Sequence, residues 1–222
     1  MTGTRPRHLK LRKAVIAAAR QLEPLGINRG TSGNVSVRAG DGLLITPTGI
    51  SYDALTPAQI VWMDSDGRYD GDWLPSSEWR FHCDILRERP DLNAIVHTHA
   101  VHATALACHG RGIPAFHYMV AAAGGRNIRC APYATFGTAE LSANALRALK
   151  DRRACLLANH GLIACGYTLN AALALAVEVE TLAAMYLKAL EIGEPVELDD
   201  AEMQRILGKF ATYGQNPASA RR

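Results

Sequence analysis

The chain has few aromatic residues (6%), little net charge (+3) and no apolar run long enough to span a bilayer. No basic stripe with interleaved aromatics is present, so nucleic-acid binding has no support. Its five cysteines (Cys83, Cys108, Cys130, Cys155, Cys165) are odd in number and form no CxxC pair. That excludes a disulfide framework and a thiolate zinc site, and reads instead as buried free thiols. No Walker or Rossmann glycine pattern occurs, so a nucleotide is not implied. Internal repeats, low-complexity tracts and linkers are also missing, and the basic N-terminus lacks the apolar core of a signal peptide. With 48% hydrophobic residues over 222 positions, the expectation is one soluble, cytoplasmic domain spanning 1–222, with 215–222 as a frayed tail.

Strand and helix patterns interleave. LKLRKAVIAAARQL (9–22) places Leu11, Val15, Ala18, Ala19 and Leu22 on one helical face, and Pro24 and Gly26 end it. NVSVR, GLLI and QIVWMD read as short strands. PSSEWRFHCDILRERP reads as a helix with Pro75 and two serines at its entrance. AIVHTHAV is a strand candidate running into a helix, and ACLLANHGLIACG holds two apolar runs broken at Asn159–Gly161. Residues 168–192 form the longest helix, capped by Thr168 or Asn170 and stopped at Gly193, and DDAEMQRILGKFATYG a last short one. The fold class is α/β or α+β.

Within AIVHTHAVHATA three histidines fall in six positions. On a strand, His97 and His99 share a face, roughly 7 Å apart along the chain, and can converge on one ion. A neutral buried imidazole needs a partner, so the pair favours a metal over two satisfied core histidines. His160, beside Gly161 at the break in an apolar stretch, is a third donor, the glycine allowing a tight turn. Three histidines without thiolates leave a fourth position for an acid or a substrate, as in catalytic zinc sites. Glu78, just inside a helix start after two serines, is the acid of choice, although it would also complement the helix dipole there. His102 reads as packing or support for the site; His8, His82, His109 and His117 read as structural. GTSGN, TPTG and PSSE each supply glycines, hydroxyls or a helix start, which together suggest a phosphate pocket near the metal.

The ordered stretches GTSGNVSVR, LLITPTGISYD, LPSSEWRFH, AIVHTHAVHATA, IPAFHYMVAAAGG, CAPYATFGT and NHGLIACG resemble the class II aldolase/adducin family. The similarity runs from about the first helix to Tyr213 and is greatest to members that cleave fuculose 1-phosphate. It implies a three-layer αβα fold with a central, mostly antiparallel sheet, assembled as a homotetramer with sites between subunits. It implies Zn2+ (or Mn2+ or Co2+) on Glu78, His97, His99 and His160, with Glu78 also the acid/base. Phosphate contacts would fall on Gly33, Asn34, Thr48, Gly49, Ser76 and Ser77. Tyr118 would serve as a proton donor from across a subunit boundary, and Phe136, Phe210 and Tyr213 would line the aldehyde end.

The implied activity is cleavage of a ketose 1-phosphate to dihydroxyacetone phosphate and an aldehyde. The substrate would be L-fuculose 1-phosphate, or a 5-deoxy- or 5-methylthio-pentulose 1-phosphate from nucleoside salvage. Within the family, a pentulose-5-phosphate 4-epimerase and a methylthioribulose-1-phosphate dehydratase are rivals, as is a metal-free adducin-like structural module. One departure is Asn159, where fuculose-cleaving members carry a further histidine before the metal histidine.

Overall fold

The computed structural model describes residues 7–210. Eight strands form one sheet: β1 (Asn34–Ala39), β2 (Gly42–Ile45), β3 (Val61–Asp64), β4 (Tyr69–Asp70), β5 (Ala94–Thr98), β6 (Arg129–Ala131), β7 (Ala154–Leu157) and β8 (Gly161–Gly166). They lie in the order β4-β3-β2-β1-β5-β8-β7-β6. Every neighbouring pair is antiparallel except β6 with β7.

Strands β5, β7 and β8 are largely apolar and are covered on both sides. Along β5, Ala94 and Val96 enter one core while Ile95 enters the other; along β8, Leu162 and Ala164 part from Ile163 and Cys165 in the same way. The first core is completed by α1 (Leu9–Gln21), α3 (Val101–Cys108), α5 (Leu169–Leu190) and α6 (Asp200–Phe210). The second is completed by α2 (Trp79–Glu88) and α4 (Ala139–Ala148). Three layers result, as the family resemblance implies.

Local chemistry sets the boundaries. Thr168 is the residue that caps α5, its hydroxyl accepting from the Ala171 amide at 3.1 Å. Strand β6 and helix α4 go beyond the sequence expectation; Thr138 caps α4 by accepting from the Leu141 amide at 3.2 Å. Among the cysteines, Cys83, Cys155 and Cys165 are buried and free as expected, whereas Cys108 is exposed at the end of α3. No helix among the described residues is long and apolar enough to cross a membrane.

Candidate metal and acid/base site

Sheet register builds the site. Asn34 and His97 are direct partners across β1 and β5, and both face α2 because their odd–even neighbours Val35 and Val96 fill the opposite core. The chain then leaves β5 at Thr98, which puts His99 at the strand's mouth. His160 arrives from the β7–β8 connection, where Asn159 takes a left-handed φ of 54° and the His160 amide bonds to the Leu157 carbonyl at 3.0 Å. Asparagine tolerates that conformation better than most residues, since its short amide bonds locally.

Gly161 is required for a reason other than the expected tight turn. A side chain there would begin 2.4 Å from the Thr98 carbonyl oxygen and 3.0 Å from the His99 ring, so it is close approach that demands glycine.

The three imidazoles meet with ring centroids 4.8–5.1 Å apart. Glu78 completes the group, and the four donor atoms all lie within 4.8 Å of one another. Glu78 occupies the N-cap position of α2 rather than its first turn, and its carboxylate caps no backbone amide. Instead its Oε2 lies 3.0 Å from His97 Nε2 and its Oε1 3.0 Å from His160 Nε2. The turn before it is held by Ser76, whose hydroxyl accepts from the Glu78 amide at 3.3 Å.

The chemistry of these donors fits a cation. His97 Nδ1 donates to the Leu162 carbonyl at 2.9 Å, so in the neutral ring Nε2 presents a lone pair. That lone pair faces a carboxylate oxygen. His97 Nε2, His99 Nε2 and Glu78 Oε1 are all buried, and none makes a hydrogen bond. Acceptors packed against acceptors repel unless a positive charge lies among them.

Burial acts to raise the Glu78 carboxyl, but the facing His97 and His160 outweigh it and hold the group well below the usual carboxylate range. His99 is pushed down to about 4, by burial first and then by His97 and His160. A carboxylate kept anionic is the form that binds a metal.

Sequence reasoning missed the support behind Glu78. The Asn34 side-chain amide donates to Glu78 Oε2 at 3.0 Å, while its Oδ1 lies 2.5 Å from His82 Nε2. His82 Nδ1 in turn lies 2.7 Å from the Ser36 hydroxyl. His82 was expected to be merely structural, and no motif marks it; only the register of β1 against α2 reveals the chain of contacts. His102, by contrast, lies outside the cluster: its amide and Nδ1 both bond Glu180 of α5, at 2.9 and 2.8 Å.

Of the anion-binding candidates, Gly33, Asn34, Ser76 and Ser77 lie beside this point. The Ser76 amide bonds the Thr46 carbonyl at 3.0 Å and the Thr48 amide bonds the Leu74 carbonyl at 3.2 Å, which ties TPTG to PSSE. The Tyr52 hydroxyl donates to the Gly33 carbonyl, and a side chain on Gly33 would meet the His97 carbonyl at 2.7 Å. Gly49 adopts a left-handed φ of 70°. The Asn34 amide is engaged by Glu78 and His82 rather than facing open space.

A cavity of about 280 Å³ opens onto the cluster, lined in part by Ser77, Glu78, His99, Phe136, Asn159 and His160. Phe136 is 63% exposed at its rim. Tyr118 and Phe210 are not there: they line a separate, more apolar cavity of about 670 Å³ with Phe116 and Ile206. Tyr213 lies outside the described residues.

Residues 13–187 match the family model for the class II aldolase and adducin N-terminal domain. The chain belongs to the class II aldolase and adducin family. It is 61% identical to a 5-methylthioribulose-1-phosphate/5-deoxyribulose-1-phosphate aldolase of Rhodospirillum rubrum, over 97% of this chain and 96% of that protein. It is 56% identical to the L-fuculose phosphate aldolase of Escherichia coli, over 92% of this chain and 96% of that one. A solved structure of L-fuculose 1-phosphate aldolase superposes with a TM-score of 0.89 at 40% identity, covering 95% of this chain and all of that one. With relatives of that kind at that identity the chain is an enzyme, a lyase of the aldolase class, and not a structural module.

Proposed function

We propose that this enzyme is a zinc-dependent aldolase that cleaves a ketose 1-phosphate to dihydroxyacetone phosphate and an aldehyde. The substrate is L-fuculose 1-phosphate or a 5-deoxy- or 5-methylthio-pentulose 1-phosphate, the kinds of compound named for its relatives. The observation that carries this reading is the convergence of Glu78, His97, His99 and His160, with Glu78 Oε1, His97 Nε2 and His99 Nε2 buried and without a hydrogen bond. These four residues would hold the ion, and manganese or cobalt would suit the same donors. A divalent ion there supplies Lewis-acid polarisation of the substrate's carbonyl and adjacent hydroxyl oxygens.

The protein's own groups account for the proton movements. In the synthetic direction the Glu78 carboxylate removes a proton from the hydroxymethyl carbon of dihydroxyacetone phosphate. That carbon's electron pair forms the new bond to the aldehyde carbon, and the aldehyde oxygen takes a proton from the Tyr118 phenol. Cleavage is the reverse: the C4 hydroxyl proton passes to Tyr118, the C3–C4 bond breaks, and Glu78 returns a proton to C3. Glu78 is suited by position to this exchange, buried at the centre of the histidine cluster and at the edge of the cavity that opens onto it. Gly33, Asn34, Thr48, Gly49, Ser76 and Ser77 are assigned to the phosphate loops, where Thr48, Ser76 and Ser77 bring hydroxyls and the glycines leave room for an anion to approach the backbone. Phe136, Phe210 and Tyr213 are assigned to the apolar end of the sugar.

Tyr118 and Phe210 share a cavity that has no lining residue in common with the one at Glu78. This supports a homotetramer in which they complete the site of a neighbouring subunit. The free thiols fit a reducing, cytoplasmic setting.

The test is a cleavage assay on zinc-loaded protein, coupled to detection of dihydroxyacetone phosphate. L-Fuculose 1-phosphate, 5-deoxyribulose 1-phosphate and 5-methylthioribulose 1-phosphate are compared by kcat/KM. Product from at least one, with the ratios ranking them, is expected; no product from any would refute the assignment.

A further inference from the structure

Behind the acid/base carboxylate runs a fully buried polar file: Ser36 and His82 (each 0% exposed), Asn34 (3%) and Glu78 (5%). We infer that His82 is a positioning residue, which fixes the Asn34 amide in the orientation that donates to Glu78 Oε2. This rests on the proposed acid/base role of Glu78.

The argument is one of donors and acceptors. A carboxylate accepts only, so the Asn34 group facing Glu78 must be the NH2, at 3.0 Å. That leaves Oδ1 toward His82 Nε2, which must then carry the ring proton. Nδ1 is consequently the acceptor, and its partner at 2.7 Å is the Ser36 hydroxyl, which donates. Each member has one orientation that satisfies all the others.

The opposite histidine tautomer would present a lone pair to Asn34. The amide would then turn its oxygen toward the carboxylate and push Glu78 out of place. Burial and the nearby His97 keep the His82 ring neutral, with its pKa pushed down to about 3, so it has a single proton to place. The Phe81 ring stacks on it at 4.6 Å and holds its plane. Alternation along β1 puts Ser36 and Asn34 on the face that meets α2, and His82 lies one helical turn beyond Glu78.

The first test is nitrogen NMR of histidine-labelled, metal-free protein, which needs no turnover. A neutral His82 protonated on Nε2 is expected; protonation on Nδ1 would overturn the proposal.

The second follows kcat, KM, bound zinc and the aldehyde-independent exchange of dihydroxyacetone phosphate carbon-bound hydrogen with deuterated water. His82→Leu removes the donor and should lower kcat and exchange together by about 10- to 100-fold, with zinc content and KM little changed. His82→Gln, whose amide places a donor near the position of Nε2, should restore most of both. Ser36→Ala leaves the ring in place but frees its tautomer, and should show a smaller loss of the same kind. Leucine and glutamine variants alike in kcat would overturn the positioning role, as would loss of zinc in parallel with activity. A wild-type protein that neither cleaves nor exchanges would contradict the aldolase reading itself, while the tautomer would still stand or fall by NMR.

Discussion

At the scale of single residues, His97 and Glu78 have separable tasks. His97→Ala removes a donor and leaves Glu78 facing a gap, so bound zinc and cleavage should fall together; metal analysis beside the activity assay reads both. Glu78→Gln keeps shape and should retain fold and most metal while losing about 10²–10⁴-fold in kcat. Full cleavage by that variant would remove Glu78 from the acid/base role. His82 gives a pH prediction. Its pKa lies near 3 in the fold against an ordinary 6.5, so below pH 6.5 the unfolded chain binds a proton that the native protein refuses. Native stability is therefore complete above pH 6.5 and declines as pH falls, by about 1.4 kcal/mol per pH unit from this residue alone. Urea midpoints of metal-free protein at pH 7 and pH 5 check the sign; a flat or rising midpoint on acidification would contradict it. The clustering of Glu78, His97, His99 and His160 matches the expectation raised by an HxH in an apolar run, although β5 ends at Thr98 and His99 lies just past it. The role of His82 was not legible, since its partners Asn34 and Ser36 lie more than 40 positions away and meet it only through β-register.

At the scale of elements, the break between β7 and β8 shows how backbone demands shape the site. Asn159 takes the left-handed position and Gly161 the close approach to Thr98, so His160 is aimed from both sides. Gly161→Ala would drive a methyl group into the Thr98 carbonyl and should cost about 1–3 kcal/mol of stability, with weaker zinc binding. A chemical-denaturation curve coincident with wild type would show that the strands yield there. Strands β1, β2 and β3 were readable because turns such as TPTG punctuate them, whereas the two-residue β4 was not. Helix α4 was not anticipated, although Thr138 caps it and Leu141, Ala145 and Ala148 give it a buried face. Strand β6 is only three residues long, and its pairing to β7 is its chief signature.

At the scale of the whole molecule, interleaved strand and helix patterns pointed to an α/β or α+β domain, and the family resemblance supplied the antiparallel sheet and its flanking layers. What one chain does not display is Tyr118 beside Glu78. If neighbouring subunits supply it, inactive Glu78→Gln and Tyr118→Phe proteins, unfolded together and reassembled, should regain activity at about a quarter of their sites. No recovery would place Tyr118 outside the reaction or inside its own subunit's site. The most direct test of the account as a whole is activity against metal occupancy. Metal-stripped protein is titrated with zinc while bound ion and cleavage rate are followed together. The account predicts no cleavage without metal and a rate that rises in proportion to occupancy, saturating at one ion per chain. Cleavage by metal-free protein, or saturation of the site without any cleavage, would contradict it.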